Sequence, residues 1–210
     1  DGTLVRESEP GFPFDSPAVR VNAIFTDSRR NLWIGSVDQG VSTIYHYKDR
    51  FNEDNALRSE LSGKSVTALA VDHDANMWIS TLMDGMYVYS QETMALTHFD
   101  WVRQDYKRWN RDMCVNSMLV DSHGDIWQVG TDSSVRKVRL ENGRQVIDGS
   151  WSVFLAMSIA ESQDGTIWVG TASKFLYYMR PGETGFTQLK AFDGFTFIPG
   201  LVPYGEDQLL

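Results

Sequence analysis

The chain has 210 residues, 42% of them hydrophobic, and a formal net charge of −9 at pH 7. This length and apolar content support a substantial buried core and argue against disorder. The negative charge argues against nucleic acid as the main partner, because phosphate binding needs a positive surface or a basic stripe. The single cysteine, Cys114, excludes an internal disulfide and leaves both cytoplasm and periplasm open. Every apolar run is too short for a membrane span of roughly 18 residues, so we expect no membrane contact by this segment.

Residues 1–16 predict two short strands, over 1–7 and 11–14, without partner strands before them. After them, a phrase centred on tryptophan recurs four times: an apolar run, a polar turn, and an apolar stretch that contains the Trp. The tryptophans of this phrase are 45, 49 and 41 residues apart, and they are Trp33, Trp78, Trp127 and Trp168. This period is the length of a four-stranded β-propeller blade. The repeat therefore predicts an all-β fold in which each copy forms one blade.

Each copy predicts four strands in the same order. The first is short and apolar, as expected for a strand buried between blades, and it starts at Val21, Val66, Val115 or Ala156. A polar turn follows, which starts at Asp27, Asp72, Asp121 or Ser162. The second strand carries the Trp, whose indole fills the wedge between blades, so we expect these tryptophans to be buried and these aspartates to be structural. The third strand is rich in β-branched and aromatic residues, and the fourth is shorter and more polar.

The spacing places four full blades at about 17–60, 61–109, 110–152 and 153–194, between a blade remnant at 1–16 and a half-blade at 195–210. The half-blade is a fifth copy that begins at Ile198 and stops where its Trp would stand. Two arrangements remain open: the half-blades belong to a larger propeller of which this chain is a slice, or they join and close a ring of five. We favour the slice, because direct closure would lack the tail that follows the Trp in the second strand.

One face of a propeller carries the loops between second and third strands together with the connectors to the next blade, and ligands usually bind there. The short loops would present Asp84 and Asp132 on this face. The connector at 100–112 combines flat aromatic rings with positive charges, in Trp101, Arg103, Tyr106, Lys107, Arg108, Trp109 and Arg111. Such a set suits sugar rings, carboxylates or sulfates. It suits equally well packing on a neighbouring blade or a protein interface.

Catalytic and metal sites have weaker support. The stretch from Asp72 to Asn76 matches the first three ligand positions of a calcium loop, but Met77 and Met83 stand where that loop needs Gly and Glu. An Asx-rich β-turn is the better interpretation. The four histidines are not paired at a metal-binding spacing, and no pair of carboxylates stands out for acid/base chemistry. We therefore predict no catalytic residues, no metal and no cofactor.

The pattern V-x-x-I-x-x-D-x-x-G-x-I/L-W-I/V-G-T, followed by an aromatic strand, resembles the two-component regulator propeller repeat. The resemblance covers essentially the whole chain, with single departures such as Ser80 in place of Gly. The matching positions are Val21, Ile24, Asp27, Trp33, Gly35, Val66, Leu69, Asp72, Trp78, Val115, Asp121, Gly124, Trp127, Gly130, Ile159, Gly165, Trp168, Gly170 and Thr171. Two neighbouring families fit less well. Sialidase Asp-boxes are one residue longer, and streptogramin-lyase-like propellers carry a Gly-Pro before the phrase and a Phe after the Trp.

That repeat builds the periplasmic sensor regions of hybrid two-component system histidine kinases in Bacteroidetes. The resemblance implies two consecutive seven-bladed propellers, an immunoglobulin-like domain, a membrane span, a histidine kinase and a response-regulator region. We expect this segment to be a periplasmic, non-enzymatic sensor that recognises a glycan or oligosaccharide and signals as a homodimer. A protein-binding scaffold is one alternative. A propeller-fold lyase or hydrolase is another, and it would need catalytic carboxylates or a His–Tyr pair in the central funnel.

Overall fold

The computed structural model describes residues 20–27, 30–44, 55–82, 84–99, 114–141, 144–190, 197–204 and 208–209. The predicted blade remnant at 1–16 lies outside these residues. In chain order, the elements of the described part are β1 (Val21–Thr26), β2 (Leu32–Ser36), β3 (Val41–Ile44), α1 (Asn55–Leu61), β4 (Val66–Val71), β5 (Asn76–Thr81), β6 (Met86–Ser90), β7 (Leu96–Phe99), β8 (Val115–Val120), β9 (Ile126–Gly130), β10 (Ser134–Glu141), β11 (Arg144–Ser152), β12 (Ala156–Glu161), β13 (Ile167–Thr171), β14 (Phe175–Met179), β15 (Thr187–Lys190), β16 (Pro203–Tyr204) and β17 (Gln208–Leu209). The described helix is too short to cross a membrane.

The strands form antiparallel sheets in which neighbours along the chain are hydrogen-bonded neighbours in space. We name them blade 1 (β1–β3), blade 2 (β4–β7), blade 3 (β8–β11) and blade 4 (β12–β15), and β16 and β17 form a further hairpin. The first strands β1, β4, β8 and β12 contact one another in that order, so they are the innermost strands around which the blades are arranged. The prediction of an all-β propeller is confirmed. The total of seven blades stays a prediction.

A β-bulge recurs near the first residue of each of these four innermost strands. A bulge leaves one residue outside the regular ladder, here the second residue of the strand. In blades 1 to 3, the side chain of this residue donates a hydrogen bond to the first carbonyl of the next innermost strand. The bonds run from Asn22 Nδ2 to Val66 O (3.1 Å), from Thr67 Oγ1 to Val115 O (2.7 Å) and from Asn116 Nδ2 to Ala156 O (3.3 Å). Consecutive blades are therefore tied at one height.

The last described residues are tied to blade 4 in a similar way, but the donor is the third residue of β12, one position after the bulge. Ser158 Oγ in blade 4 donates a hydrogen bond to Ile198 O at 3.1 Å. Pro203, five residues after Ile198, pairs with Leu209, eleven residues after Ile198. In blade 1, the residues 5 and 11 positions after the first residue of β1 pair in the same way. The hairpin β16–β17 therefore has the register of a fifth innermost strand and its partner.

Trp33, Trp78 and Trp127 fill the wedges between consecutive blades, as predicted. They are 2%, 1% and 3% exposed. Each packs in a hydrophobic cluster that contains residues of its own blade and of the next one. Trp168, at the corresponding position of blade 4, is only half-buried. The prediction that these tryptophans are largely buried is confirmed for Trp33, Trp78 and Trp127, and Trp168 is the least buried of the four.

The turn residue six positions earlier binds each of these indoles. In blades 1 to 3, the indole Nε1 donates a hydrogen bond to an aspartate carboxylate oxygen. The pairs are Trp33 with Asp27 (3.0 Å), Trp78 with Asp72 (2.8 Å) and Trp127 with Asp121 (2.8 Å). The other carboxylate oxygen accepts a backbone N–H of the turn. In blade 4, Ser162 Oγ accepts the bond from Trp168 at 3.0 Å. One carboxylate thus satisfies the turn and the single polar atom of a buried indole, which explains the six-residue spacing.

Helix α1 lies in the connector between blades 1 and 2, where the repeat pattern predicts no helix. Its Leu57 and Leu61 are four residues apart and so lie on one face of the helix. Both are buried in the cluster that contains Trp33. The backbone of Gly40, at a φ of 72°, lies so close to Leu61 that a Cβ there would collide with it. The helix therefore covers the wedge between blades 1 and 2 and brings Ser59 and Glu60 next to blade 2.

Candidate functional site

The loops between second and third strands lie on the same face as the residues that precede the innermost strands, and we call this the upper face. In each of the four blades, a loop N–H donates to the carbonyl just before the innermost strand: Val37 to Arg20 (3.0 Å), Leu82 to Ser65 (2.8 Å), Thr131 to Cys114 (2.8 Å) and Ala172 to Leu155 (2.8 Å). The expectation that these loops share one face is therefore correct. Among the predicted ligand residues, Asp84 and Asp132 are described. The others, Trp101, Arg103, Tyr106, Arg108, Trp109 and Arg111, lie outside the described residues, between Phe99 and Cys114.

Asp84 lies at the centre of a polar network in blade 2. Its carboxylate accepts hydrogen bonds from Lys64 Nζ, which precedes β4, and from the hydroxyl of Tyr87 in β6. Nε2 of His98 in β7 contacts the backbone oxygen of Asp84 at 2.7 Å. Because a carbonyl can only accept, this nitrogen carries the proton. The His98 ring stacks on Tyr87 with centroids 4.5 Å apart.

A groove of about 320 Å³ opens beside this network, between α1 and blade 2. Ser59 and Glu60 line it on the helix, and Tyr87, Leu96 and His98 line it on the blade. Its volume lies at the low end of the roughly 300–1,000 Å³ that small-molecule sites occupy. The groove therefore offers a small ligand an aromatic and aliphatic wall together with a hydroxyl, a carboxylate and an imidazole.

The network shifts the pKa values of Lys64, Asp84 and Tyr87. The hydrogen bond from Lys64, supported by that from Tyr87, holds the pKa of the Asp84 carboxyl below its usual value. The same bond to Asp84 raises the pKa of Lys64. Burial, together with the bond to Asp84, raises the pKa of Tyr87 to about 12. Tyr87 therefore stays protonated at neutral pH and donates to Asp84, so its hydroxyl is a poor candidate for a phenolate base.

Asp132 belongs to a separate network in blade 3. One of its carboxylate oxygens accepts from Ser134 Oγ at 2.6 Å, and the other accepts from Nη2 of Arg136, whose side chain is 3% exposed. A Cβ on Gly130 would collide with the Asp132 carboxylate, so the glycine leaves room for it. Because both oxygens are bound within the chain, Asp132 fixes the β9–β10 loop in the described structure. Its predicted role in ligand binding stays a prediction.

The repeat pattern did not identify Lys64, Tyr87 and His98 as members of the site. Tyr87 and His98 face each other across the β6–β7 pair. A polar or aromatic pair at facing positions near the upper ends of two strands is the signal that could have identified them. Ser59 and Glu60 gave no such signal, because the repeat does not predict α1.

The Asx-turn interpretation of the stretch from Asp72 to Asn76 is confirmed. Oδ1 of Asp72 accepts backbone bonds from Asp74 (3.0 Å) and Asn76 (2.8 Å), and Oδ2 accepts the Trp78 indole. These oxygens are thus occupied by the turn and the core. Within the described ranges, no cluster of three or more His, Cys, Asp or Glu side chains could hold a metal ion.

The chain matches none of the sequence profiles of known families and none of the curated proteins. Among solved structures, it is similar to the extracellular domains described as belonging to two hybrid two-component systems of B. thetaiotaomicron, BT3049 (19% identity, TM-score 0.61) and BT4673 (21% identity, TM-score 0.57). These similarities cover 91% and 93% of this chain but 26% and 31% of those chains. It is also similar to virginiamycin B lyase from Staphylococcus aureus, with 12% identity and a TM-score of 0.66 over 90% of this chain and 61% of that one.

At these identities the likeness shows the propeller fold alone. The chain spans only about a quarter to a third of the two sensor domains that it resembles. Those two neighbours are described as parts of hybrid two-component systems, the class that the sequence repeat resembles. The lyase, in contrast, is an enzyme on the same fold. The choice between the two classes therefore depends on the site.

Proposed function

We propose that this chain is part of an extracytoplasmic ligand-sensing propeller of a hybrid two-component sensor and that its upper face binds a glycan or oligosaccharide. The observation that carries the proposal is the groove between α1 and blade 2, where Lys64, Asp84, Tyr87 and His98 form one network. The two sensor domains among the solved neighbours support the signalling role. Further blades, an immunoglobulin-like domain, a histidine kinase, a periplasmic location and a homodimer belong to the same proposal.

The chemistry of the groove favours a sugar ring. A pyranose has an apolar face of C–H groups and an edge of hydroxyls that both donate and accept. Leu96 and the exposed His98 ring, which stacks on the buried Tyr87, suit the apolar face. Glu60 and Ser59 on α1 suit the hydroxyls. Because the connector at 100–112 begins directly after β7, its arginines would add positive charge for a sulfate or carboxylate of a longer glycan.

The state of Tyr87 disfavours one route to cleavage, in which its hydroxyl acts as the base. A lyase of this fold would need a base, and the raised pKa of Tyr87 together with its bond to Asp84 opposes that role. Signalling instead requires that the ligand bind one arrangement of the sensor more tightly than another. A ligand can shift this equilibrium by no more than its differential affinity, and roughly 5.5 kcal/mol moves a two-state system from 1:99 to 99:1.

Calorimetric titration with size-defined heparin oligosaccharides tests the proposal. We expect saturable binding, and we expect it to weaken roughly tenfold in His98→Ala and in the double variant Arg108→Ala, Trp109→Ala, because each removes a charged or stacking contact. Arg139→Ala is the matched control, because Arg139 is exposed and pairs with Glu141 and Asp148 away from the groove. An affinity that is unchanged in both test variants would contradict the proposed site.

Chromatography of the ligand after long incubation with the protein separates the two functional classes. A sensor returns the oligosaccharide intact. Multi-turnover cleavage that survives repurification and is lost in a site variant would establish the enzyme instead.

A further inference from the structure

Blades 3 and 4 enclose a second cleft, of about 380 Å³, at their lower ends, opposite the upper face. Trp127, Ile167 and Met179 are buried at its floor. Its sides are the turns between first and second strands of both blades and the hairpin turn at 180–183. We propose that this cleft binds a neutral sugar of one or two pyranose rings. The inference is independent of the upper-face groove, because the two sites share no residue.

The aromatic wall of the cleft has a specific construction. Gly149 has no side chain, and a Cβ at this position would collide with the Trp151 ring. The ring therefore folds back over the strand and stacks on Trp127, with centroids 5.3 Å apart and planes 25° apart. Phe186 packs edge-on against both rings. Trp151 stays half-buried and lines the cleft, so an indole held in one orientation is available to the apolar face of a sugar.

The polar groups around this wall are already oriented by bonds to one another. Lys137 pairs with Asp125, and its ammonium lies 5.7 Å from the centre of the Trp127 ring. Glu161 of blade 4 accepts the backbone N–H and the hydroxyl of Ser122 in blade 3, both at 2.7 Å. Held side chains lose little entropy when a ligand binds, and this favours affinity.

Lys137 is the cation inside the cleft, and its ammonium can donate to ring hydroxyls while the neighbouring carboxylates accept from them. Arg180 also lines the cleft, but its guanidinium lies over the Tyr178 ring, 4.8 Å from its centre, on the face of blade 4 that carries Trp168. The carboxylates that line the cleft outnumber its lysine and arginine. This balance disfavours an anionic ligand. Because each of these carboxylates already has a partner within the chain, its attraction for a cation is reduced, and a neutral ligand is favoured.

Fluorine NMR of the full chain labelled with 5-fluorotryptophan tests the inference, since each of the seven tryptophans reports separately. The probes are cellobiose and maltose, with a heparin disaccharide as the anionic comparison. Trp151→Phe assigns the Trp151 resonance. We expect a neutral disaccharide to shift this resonance saturably, with a Kd on the order of 1 mM, and the heparin disaccharide to leave it in place.

Lys137→Ala should weaken binding of the neutral sugar roughly tenfold, because it removes the charged hydrogen-bond donor of the cleft. Arg139→Ala is the matched control in the same pair of blades and should leave the affinity unchanged. A Trp151 resonance that no neutral disaccharide moves overturns the inference, and so does a sugar affinity that Lys137→Ala leaves unaltered. His98→Ala should not affect the Trp151 response, so failure at this cleft and failure at the upper face are distinguishable.

Discussion

Two regions carry the same sequence phrase but differ in the burial of its tryptophan. The first is the set of three closed wedges, between blades 1 and 2, 2 and 3, and 3 and 4, and the second is the outer face of blade 4, which points away from blade 3. In the closed wedges, Trp33, Trp78 and Trp127 are at most 3% exposed, because the next blade packs on each of them. On the outer face, Trp168 is half-buried against Tyr178, at 5.4 Å between ring centroids. The local hairpin geometry is the same in both regions. Burial of the indole therefore comes from the neighbouring blade and not from the repeat itself.

The largest expected difference between the two regions is the cost of removing the indole. Trp78→Ala should lower the free energy of unfolding by roughly 3–5 kcal/mol, because it empties a packed wedge. Trp168→Ala should cost clearly less, about 1–2 kcal/mol, since a half-buried side chain loses less apolar contact. Urea denaturation of both variants measures the difference. Equal losses would show that the two indoles are covered to the same extent in solution.

The turn acceptors give a second, smaller contrast. Asp121→Ala should cost about 2 kcal/mol, because it leaves the buried Trp127 N–H and the turn N–H groups without their acceptor. Ser162→Ala in blade 4 should cost about 0.5–1 kcal/mol, because water reaches the Trp168 N–H. Thermal unfolding followed by circular dichroism compares them. A Ser162 variant as unstable as the Asp121 variant would contradict the view that the outer face is accessible to water.

The side-chain bonds between innermost strands should each contribute less than the Asp121 turn acceptor. Asn116→Ala removes the side-chain bond from blade 3 to Ala156 O, and we expect a loss of about 1 kcal/mol. Hydrogen exchange at the upper ends of β8 and β12 should increase in this variant, whereas exchange in β4 and β5 should stay as in the parent. Uniform acceleration across all blades would mean that the bond affects global unfolding only.

Tyr87, in the closed wedge of blades 1 and 2, gives the smallest effect at neutral pH and a characteristic one at high pH. Its pKa of about 12 in the folded chain exceeds the usual value of roughly 10, so folding favours its protonated form. The resulting stability is complete below pH 10 and is lost as the pH rises towards 12. Tyr87→Phe should therefore lose less stability than the parent between pH 10 and 12. Parallel pH profiles from urea denaturation would contradict the raised pKa.

The sequence by itself determined the blade period, the order of strands and the tryptophan wedges. These follow from local rules, because the alternation of apolar runs and Asx turns specifies antiparallel hairpins, and the Trp is the largest apolar side chain in each. The six-residue spacing of Asp72 and Trp78 was visible in the same way, although its reason, a hydrogen bond to the indole, appeared only in the structure.

Only the tertiary structure decided which polar residues share a site. Lys64 precedes β4, Asp84 lies in the loop before β6, and His98 lies in β7. They come into contact because of the register of the four strands of blade 2 and the position of the segment that leads into β4. The fold of Trp151 onto Trp127 likewise depends on a missing Cβ at Gly149. Such contacts are set by packing between distant segments, which a repeat pattern does not encode, because each repeat specifies its own hairpins but not the side chains that its neighbours bring to them.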